Sequence, residues 1–323
     1  MTYRWLLPDN LEDILPPDAW RLEGSRRCLL DLFRARDYQL VIPPLLEYVD
    51  SLFTGTGRDM DLLTFKLVDQ MSGRQLGLRA DMTPQVARID AHGMNHQGVN
   101  RLCYAGSILH TRPEGLSLSR EPFQVGAEIY GLEGIAGDLE IQQLMLDSLN
   151  EVGLPTVTLD VGHVGLFRGL SRLCGLDAKI EAEWFQVLQN KDAPSLHEMS
   201  KALEPALRDA MRLLPQLNGD SAVLALARQQ LPNIPEVDDA LTQLEAVAQR
   251  FADKVSLSFD LAELRGYHYH SGLVFAAYAE GFSDAVARGG RYDEVGRAFG
   301  RARPATGFSL DLRELLPVLP TAA

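Results

Sequence analysis

The chain has 323 residues, of which 46% are hydrophobic, and its 31 basic and 44 acidic side chains give a formal net charge of −13. This length and apolar content suffice for one large domain with a substantial core, and an acidic chain without any block of lysine or arginine argues against tight binding to nucleic acid. Three widely spaced cysteines, Cys28, Cys103 and Cys174, form no C-x-x-C pair, which argues against a disulfide framework or a cysteine-based metal site.

The N-terminal region predicts a soluble cytoplasmic protein that begins with a helix and a strand. It has early acidic residues and no continuous apolar stretch, unlike a signal peptide, and no apolar run in the chain reaches the roughly 18 residues that cross a bilayer. Residues 16–18, Pro-Pro-Asp, signal a helix start, and apolar residues recur at helical spacing from Leu22 to Phe33. We expect this helix to extend to Asp37 and to lead into a strand at residues 39–42.

An antiparallel hairpin is predicted next. Apolar residues alternate at Leu102 and Tyr104 and again over residues 123–129, and the residues between contain Pro113, Gly115 and Ser117. An amphipathic helix is expected over residues 139–152, followed by a strand over residues 156–161.

The second half of the chain changes character twice. From residue 167 to about residue 250 the pattern is helical, with short breaks at Pro194, Pro215 and Pro232, and few strand signals appear. Strands return at residues 255–261 and 273–278, and residues 309–316 are expected to close the fold as a helix. We therefore predict one domain formed by residues 1–165 and 251–323, interrupted by an inserted helical subdomain at residues 166–250.

Two segments in the first half of the chain resemble motifs of class II aminoacyl-tRNA synthetases. Residues 39–47, Gln-Leu-Val-Ile-Pro-Pro-Leu-Leu-Glu, resemble the first motif, which forms dimers. The predicted hairpin, with residues 106–113 and 120–128, resembles the second motif as histidyl-tRNA synthetases have it, G-P-M-F-R-H-E-R-P and then R-x-R-Q-F-H-Q-L-G-C-E. Residues 79–83, Arg-Ala-Asp-Met-Thr, stand where those enzymes have R-P-E-G-T.

Three further strings extend the resemblance towards the end of the chain. Residues 265–270, Arg-Gly-Tyr-His-Tyr-His, are similar to the string R-G-L-D-Y-Y, and residues 289–293 repeat G-G-R-Y-D unchanged. Residues 307–315 match the third motif, G-F-A-M-G-L-E-R-L. The resemblance implies the α/β (α+β) catalytic-domain fold of class II synthetases, an antiparallel sheet flanked by helices.

Two departures from the synthetase pattern affect the groups that hold ATP. Leu109 and His110 stand where the second motif has Phe-Arg, and Glu314 replaces the arginine of the third motif. ATP carries about four negative charges, and a site that activates it needs preorganised cations such as the bidentate guanidinium. Neither His110 nor the nearby Glu114 supplies one, and Glu314 would repel a polyphosphate. We therefore expect no adenylate chemistry and no catalytic centre.

The groups that would hold free histidine are present. Carried over by position, the resemblance implies that Asp81, Thr83 and Gln124 face the α-ammonium group, that Glu128 and Tyr269 face the imidazole, and that Arg265 faces the carboxylate. His270 is expected in the pocket wall. A buried polar cleft of this kind is costly without a ligand that satisfies it.

Loss of ATP chemistry with retention of a histidine pocket resembles the family of ATP phosphoribosyltransferase regulatory subunits. Residues 54–59, 79–90 and 265–270 are similar to the strings typical of that family. The resemblance implies a partner, the short-form catalytic subunit of the first step of histidine biosynthesis, which this chain activates and through which histidine exerts feedback inhibition. It also implies a dimer within a hetero-octamer of four regulatory and four catalytic chains, no cofactor, no metal and no anticodon-binding domain.

Several alternatives stay open at this stage. The chain could be a histidine-activating ligase in which Arg112 or Arg120 replaces the missing arginine, or a free-standing histidine sensor with other partners. His268 and His270 alternate on a presumed strand and could ligate a metal, although no third ligand is in view. Asp81, Glu128 and Arg265 could instead form an internal ion-pair network. Residues 54–59 could form an exposed contact loop, and His92 and His96 are interpreted as surface or core polar residues.

Overall fold

The structure, a computed structural model, describes residues 5–53, 58–94, 96–113, 119–267 and 269–321. Its strands, in chain order, are β1 (Gln39–Leu40), β2 (Leu46–Tyr48), β3 (Lys66–Val68), β4 (Gln75–Leu78), β5 (Asn100–Ser107), β6 (Phe123–Tyr130), β7 (Thr158–His163), β8 (Asn218–Gly219), β9 (Ser256–Asp260), β10 (Leu273–Tyr278), β11 (Ala287–Arg291) and β12 (Ala305–Asp311). Its α-helices are α1 (Asp18–Ala35), α2 (Val49–Leu52), α3 (Arg58–Leu63), α4 (Thr83–Arg88), α5 (Ile135–Glu151), α6 (Val164–Leu173), α7 (Ala178–Gln189), α8 (Ala193–Ser200), α9 (Pro205–Leu213), α10 (Ala222–Gln230) and α11 (Pro235–Phe251). Shorter turns are a π-helical turn at Ile89–Met94 and 3-10 turns at Leu214–Gln216 and Val295–Phe299.

The main sheet is mixed and mainly antiparallel. Across the described residues it has nine strands in the order β1-β5-β6-β12-β11-β10-β7-β9-β8. Neighbours from β5 to β7 in this order pair antiparallel, whereas β1 pairs parallel with β5, and β7 pairs parallel with β9. A second sheet has the antiparallel order β2-β4-β3. This architecture, with its flanking helices, confirms the fold class expected from the sequence.

One apolar core joins the sheet to the helices. Helix α1 buries Leu29 and Phe33 because they recur on one face at helical spacing, and α5 likewise buries Leu144. The same cluster extends to Trp184 of α7 and Leu244 of α11. The helices between β7 and β9 therefore pack on the core that supports the sheet.

Most predicted elements are confirmed. The first helix begins at Asp18, directly after the two prolines, although it ends at Ala35. The predicted hairpin is the β5–β6 pair, in which Leu102 lies opposite Glu128. Helix α5 begins at Ile135, four residues before the predicted start. Helices α6–α11 occupy the region where helices were predicted.

Two predicted elements are wrong. The helix predicted at residues 309–316 does not form, since β12 extends to Asp311 and turns follow it. Phe308 and Leu310 alternate around Ser309, and this strand pattern determines the conformation because β12 lies between β6 and β11. The presumed strand at residues 265–270 is a turn: Gly266 has a φ of 64°, and the amides of Tyr269 and His270 both donate to the Gly266 carbonyl oxygen at 2.7 Å.

Candidate functional site

A cavity of about 720 Å³ opens beside the centre of the main sheet. Its walls come from strand β6, from β10 to β12, from the start of α4, and from the turn at residues 265–270. The residues that were predicted to hold histidine all line it: Asp81, Thr83, Gln124, Glu128, Arg265, Tyr269 and His270. Gln124 and Glu128 share one face of β6 because side chains four residues apart on a strand point the same way. The fold thus brings the predicted residues together.

Glu128 lies at the buried end of the cavity, with 1% of its surface exposed. The Tyr104 hydroxyl donates to its Oε1 at 2.9 Å, and the Tyr292 hydroxyl donates to its Oε2. Burial raises the pKa of the Glu128 carboxyl to about 8, even though both tyrosines favour the charged form. In the empty cavity Glu128 is therefore protonated at neutral pH, and a cation beside it would favour its ionised form.

Two glycines make room for the Glu128 side chain. A Cβ at Gly307, which lies opposite Glu128 on β12, would come within 1.4 Å of Glu128 Oε2. A Cβ at Gly126 would come within 2.4 Å of the Tyr104 hydroxyl oxygen. The close approach of these strands to the carboxyl group thus requires glycine at both positions.

A second polar cluster lies at the start of α4. Asp81 Oδ1 accepts from the Thr83 amide at 3.0 Å, from Thr83 Oγ1 at 3.2 Å and from Gln124 Nε2 at 2.8 Å. Gln124 Oε1 in turn accepts from the Met82 amide at 2.9 Å. Thr83 Oγ1 and the Tyr104 hydroxyl lie 3.2 Å apart, which links this cluster to Glu128. These contacts fix the Asp81 carboxylate in the cavity wall, where it can accept from an ammonium group.

The turn at residues 265–270 supplies an aromatic wall. The Tyr269 ring stacks on the Tyr292 ring at 5.2 Å, and the Tyr269 hydroxyl is buried without a hydrogen-bond partner among the described residues. Burial, then the charges of Asp81 and Glu128, raise the pKa of Tyr269 well above its usual value. An unpaired buried hydroxyl is costly, so this group is a candidate ligand contact.

The other two residues of this turn differ in burial. Burial lowers the pKa of His270 to about 4, and its Nδ1 lies 3.2 Å from the Arg265 carbonyl oxygen. Arg265 lies at the exposed rim, where its Nη2 donates to Glu263 Oε2 at 3.1 Å and to the Tyr278 hydroxyl at 2.9 Å. His270 is therefore neutral at physiological pH, and Arg265 would have to turn from the rim to meet a ligand carboxylate.

The outer part of the cavity is acidic. It is lined by the carboxyl groups of Asp160, Glu263, Asp284, Asp311 and Glu314 and by the guanidinium groups of Arg265 and Arg288. Arg288 already pairs with Asp284. Burial, and then Asp311, raise the pKa of Glu314. This charge distribution is opposite to the one that a polyphosphate requires.

Neither arginine considered as a substitute phosphate clamp lines the cavity. Arg120 Nε donates to the His110 carbonyl oxygen at 3.1 Å, and its Nη1 donates to the Asp9 carbonyl oxygen at 3.2 Å. Arg112 is exposed. The buried His110 ring places Nε2 2.9 Å from the Ala80 carbonyl oxygen. This geometry does not favour the ligase alternative.

Three tyrosines around Glu128 were not singled out from the sequence. The rings of Tyr130 and Tyr292 meet edge to face at 6.3 Å, and their hydroxyl oxygens lie 3.4 Å apart. Tyr104 lies on the neighbouring strand, opposite Gly126. A signal was available for Tyr292, since it stands inside the unchanged string at residues 289–293. The arginine of that string, Arg291, forms a buried ion pair with Asp138 at 2.7 Å.

The remaining alternatives can be compared with the structure. Asp81, Glu128 and Arg265 do not bond to one another, so the ion-pair network is wrong. Within the described ranges, no group of three or more His, Cys, Asp or Glu side chains could hold a metal ion, and no helix is long and apolar enough to cross a membrane. His92 and His96 are exposed, as interpreted. Glu114, His268 and residues 54–57 of the suggested contact loop lie outside the described residues.

Comparisons with known proteins follow the same direction as the site. The family model described as histidyl-tRNA synthetase matches residues 10–315. A protein of Thiobacillus denitrificans named ATP phosphoribosyltransferase regulatory subunit is 61% identical over 97% of this chain and 97% of its own length. A protein of the same name from Ralstonia pickettii is 57% identical over 100% of this chain and 83% of its own length.

Solved structures agree with this assignment. A Bacillus halodurans structure titled ATP phosphoribosyltransferase regulatory subunit/histidyl-tRNA synthetase has a TM-score of 0.88 at 25% identity and covers 99% of this chain and 84% of its own. A chain of the ATP phosphoribosyl transferase complex from Thermotoga maritima has a TM-score of 0.68 at 17% identity, over 93% of this chain and 98% of its own, and shows the shared fold. With its histidyl-tRNA synthetase fold and its full-length relatives, the chain belongs to the family of ATP phosphoribosyltransferase regulatory subunits.

Proposed function

We propose that this chain is a non-catalytic regulatory subunit of ATP phosphoribosyltransferase, the first enzyme of histidine biosynthesis, and that its cavity binds free L-histidine. Its partner is the short-form catalytic subunit, which it activates and to which it transmits feedback inhibition. The names of full-length relatives support the role, and the Thermotoga maritima complex, whose chain shares this fold, supports the partnership. The observation that carries the ligand is the buried Glu128 carboxyl beside an unpaired Tyr269 hydroxyl.

The chemistry of the inner cavity suits an imidazole. The pKa of Glu128 is about 8, whereas that of a histidine side chain is about 6.5. A neutral imidazole entering beside protonated Glu128 can share or receive its proton, and the resulting ion pair gains a charge-assisted hydrogen bond in a dry site. The Tyr269 hydroxyl is available for the second ring nitrogen.

The rest of the amino acid is matched by charge. Asp81 accepts from an ammonium group, with Thr83 and Gln124 holding it in place. Arg265 at the rim supplies the cation for the carboxylate after it leaves Glu263. The order from Glu128 to Asp81 and then Arg265 follows the order of groups in histidine.

The outer cavity opposes ATP chemistry. Its acidic lining, with Glu314 and without a free guanidinium pair, repels phosphate groups rather than stabilising charge that develops on them. The chain therefore works through its partner and not as an aminoacyl adenylate-forming enzyme. Activation and inhibition then require that histidine favours one arrangement of the complex over the other.

Self-association is proposed through the first class II motif. Leu40, Ile42, Leu45 and Leu46 are large apolar side chains that are between 41% and 82% exposed. An exposed apolar run of this length is typical of a protein interface. We place a homodimer there, within a cytoplasmic hetero-octamer of four regulatory and four catalytic chains, and we keep the division into a synthetase-like domain (1–165 and 251–323) and a helical subdomain (166–250).

Coexpression with the short-form catalytic subunit tests this proposal. The two chains should copurify, the complex should form phosphoribosyl-ATP faster than the catalytic subunit alone, and histidine should inhibit it. Histidine binding without copurification would instead favour a free-standing sensor. Histidine-dependent exchange of pyrophosphate into ATP would favour the ligase.

A further inference from the structure

We propose that Arg168, Glu181 and Tyr267 form a clasp that positions the histidine-contact turn at residues 265–270 and links occupancy of the cavity to helices α6 and α7. This inference rests on the proposed binding of histidine. None of the three clasp residues lines the cavity. They are therefore positioning residues, which act on the ligand through Tyr269 and His270.

The clasp begins with the Tyr267 side chain, which points away from the cavity into the helices. Its ring lies 5.3 Å from the Phe167 ring of α6 and 5.4 Å from the Phe185 ring of α7. Its hydroxyl donates to Glu181 Oε1 of α7 at 2.6 Å. Ser171 of α6 donates to the other oxygen, Glu181 Oε2, at 2.7 Å. One carboxylate thus joins the turn and both helices.

Arg168 completes the clasp from α6. Its Nη2 donates to the carbonyl oxygens of both Tyr267 and His270 at 2.7 Å, and its guanidinium lies 4.8 Å above the Tyr267 ring. A single nitrogen therefore fixes two backbone positions on either side of Tyr269. The planar guanidinium can stack on the ring and donate to both oxygens together, which an ammonium group does less well.

The turn depends on these contacts because it has little regular structure of its own. Its internal backbone bonds converge on one acceptor, the carbonyl oxygen of Gly266, whose φ is positive. The turn separates the cavity from the helices, with Tyr269 on one side and Tyr267 on the other. A ligand that shifts Tyr269 or His270 must therefore move Arg168 with it or break the bonds to Arg168. Packed interfaces of this kind respond in discrete steps rather than by continuous deformation.

Tyr267→Phe tests the clasp, and Tyr38→Phe is its matched control. Both tyrosines are 4% exposed, and each hydroxyl donates to a glutamate, Glu181 at 2.6 Å or Glu140 at 3.0 Å, but Tyr38 and Glu140 lie away from the cavity. Calorimetry on the full chain should show the Kd for L-histidine about 3-fold to 10-fold higher in Tyr267→Phe, since a net hydrogen bond is worth about that factor. Tyr38→Phe should bind as the wild type does.

Glu181 provides a second pair of variants that leave the packed ring in place. Glu181→Gln keeps an oxygen that can accept from Tyr267 and should retain most of the histidine affinity. Glu181→Ala removes the acceptor and should weaken binding at least as much as Tyr267→Phe. Equal affinity in Glu181→Ala and the wild type would overturn the clasp, even if Tyr267→Phe failed to fold.

Amide hydrogen exchange separates coupling from a purely structural role. In the wild type, histidine should slow exchange in the turn and also in α6 and α7. In Tyr267→Phe the slowing should stay confined to residues around the cavity. A wild type that binds histidine without any change in α6 and α7 overturns the inference while leaving the proposed function intact. A wild type that binds no histidine overturns the proposed function, and the clasp with it.

Discussion

Replacing Glu128 by glutamine removes one titrating group while keeping its size and a hydrogen-bond acceptor for the tyrosines. In the folded chain the pKa of Glu128 is raised from 4.5 to about 8, mainly by burial. Between these two pH values the folded state holds a proton that the unfolded state has lost. The stability that this proton contributes is fully present below pH 4.5 and is lost as pH rises through about 8.

The magnitude follows from the size of the shift. Each pKa unit corresponds to about 1.4 kcal/mol, so the wild type should lose roughly 3–5 kcal/mol of unfolding free energy across this window from Glu128 alone. Glu128→Gln should not show that loss. Its stability relative to the wild type should therefore increase as pH rises from about 5 to about 8, where a buried carboxylate is most costly.

Urea denaturation of the ligand-free chain at several pH values measures this difference. Glu140→Gln is a control of opposite sign, because the hydrogen bond from Arg101 lowers the pKa of Glu140. Glu140 therefore contributes stability that is present above its unfolded pKa and is lost as pH falls. The reasoning about Glu128 is refuted if wild type and Glu128→Gln lose stability in parallel between these pH values.

Four further predictions concern ligand binding and catalysis. Glu128→Gln should bind histidine about 10-fold to 100-fold more weakly in calorimetry, because a charge-assisted bond is worth roughly 1.5–3 kcal/mol; unchanged affinity would move the regulatory site elsewhere, such as to the subunit interface. Histidine affinity should be nearly constant between about pH 6.5 and 8 and then fall up to about tenfold per pH unit, because above that range the complex must take up a proton; a rising affinity would contradict the shared proton. Tyr269→Phe should keep the stability of the ligand-free chain, since its hydroxyl has no partner among the described residues, but should bind histidine more weakly; equal binding would remove Tyr269 from the contacts. Neither the wild type nor His110→Arg should exchange pyrophosphate into ATP, because Glu314 remains; exchange above a no-enzyme control would be evidence against a non-catalytic role.

The sequence could predict the site because its residues stand in short strings. Asp81, Gln124, Glu128 and Tyr269 each occupy a position that a motif defines, and the fold brings those positions to one cavity. The tyrosines around Glu128 escaped notice for a physical reason. Tyr104 reaches Glu128 only because of the register between β5 and β6, and register depends on the whole sheet.

The wrong predictions have a related cause. The end of the chain was assigned as a helix because the strand pattern around Phe308 is short and its conformation is decided by the neighbours β6 and β11. The turn at residues 265–270 looked like a strand because alternation does not reveal a positive φ at Gly266. The clasp that holds this turn joins residues about 100 positions apart, which no local pattern shows.

Calorimetric titration of the purified wild-type chain with L-histidine and, separately, with Mg-ATP tests the central claim most directly. The account predicts saturable binding of about one histidine per chain, because each chain has its own complete set of cavity residues. It predicts no measurable binding of Mg-ATP to the acidic outer cavity. Tight binding of Mg-ATP with no binding of histidine would contradict it.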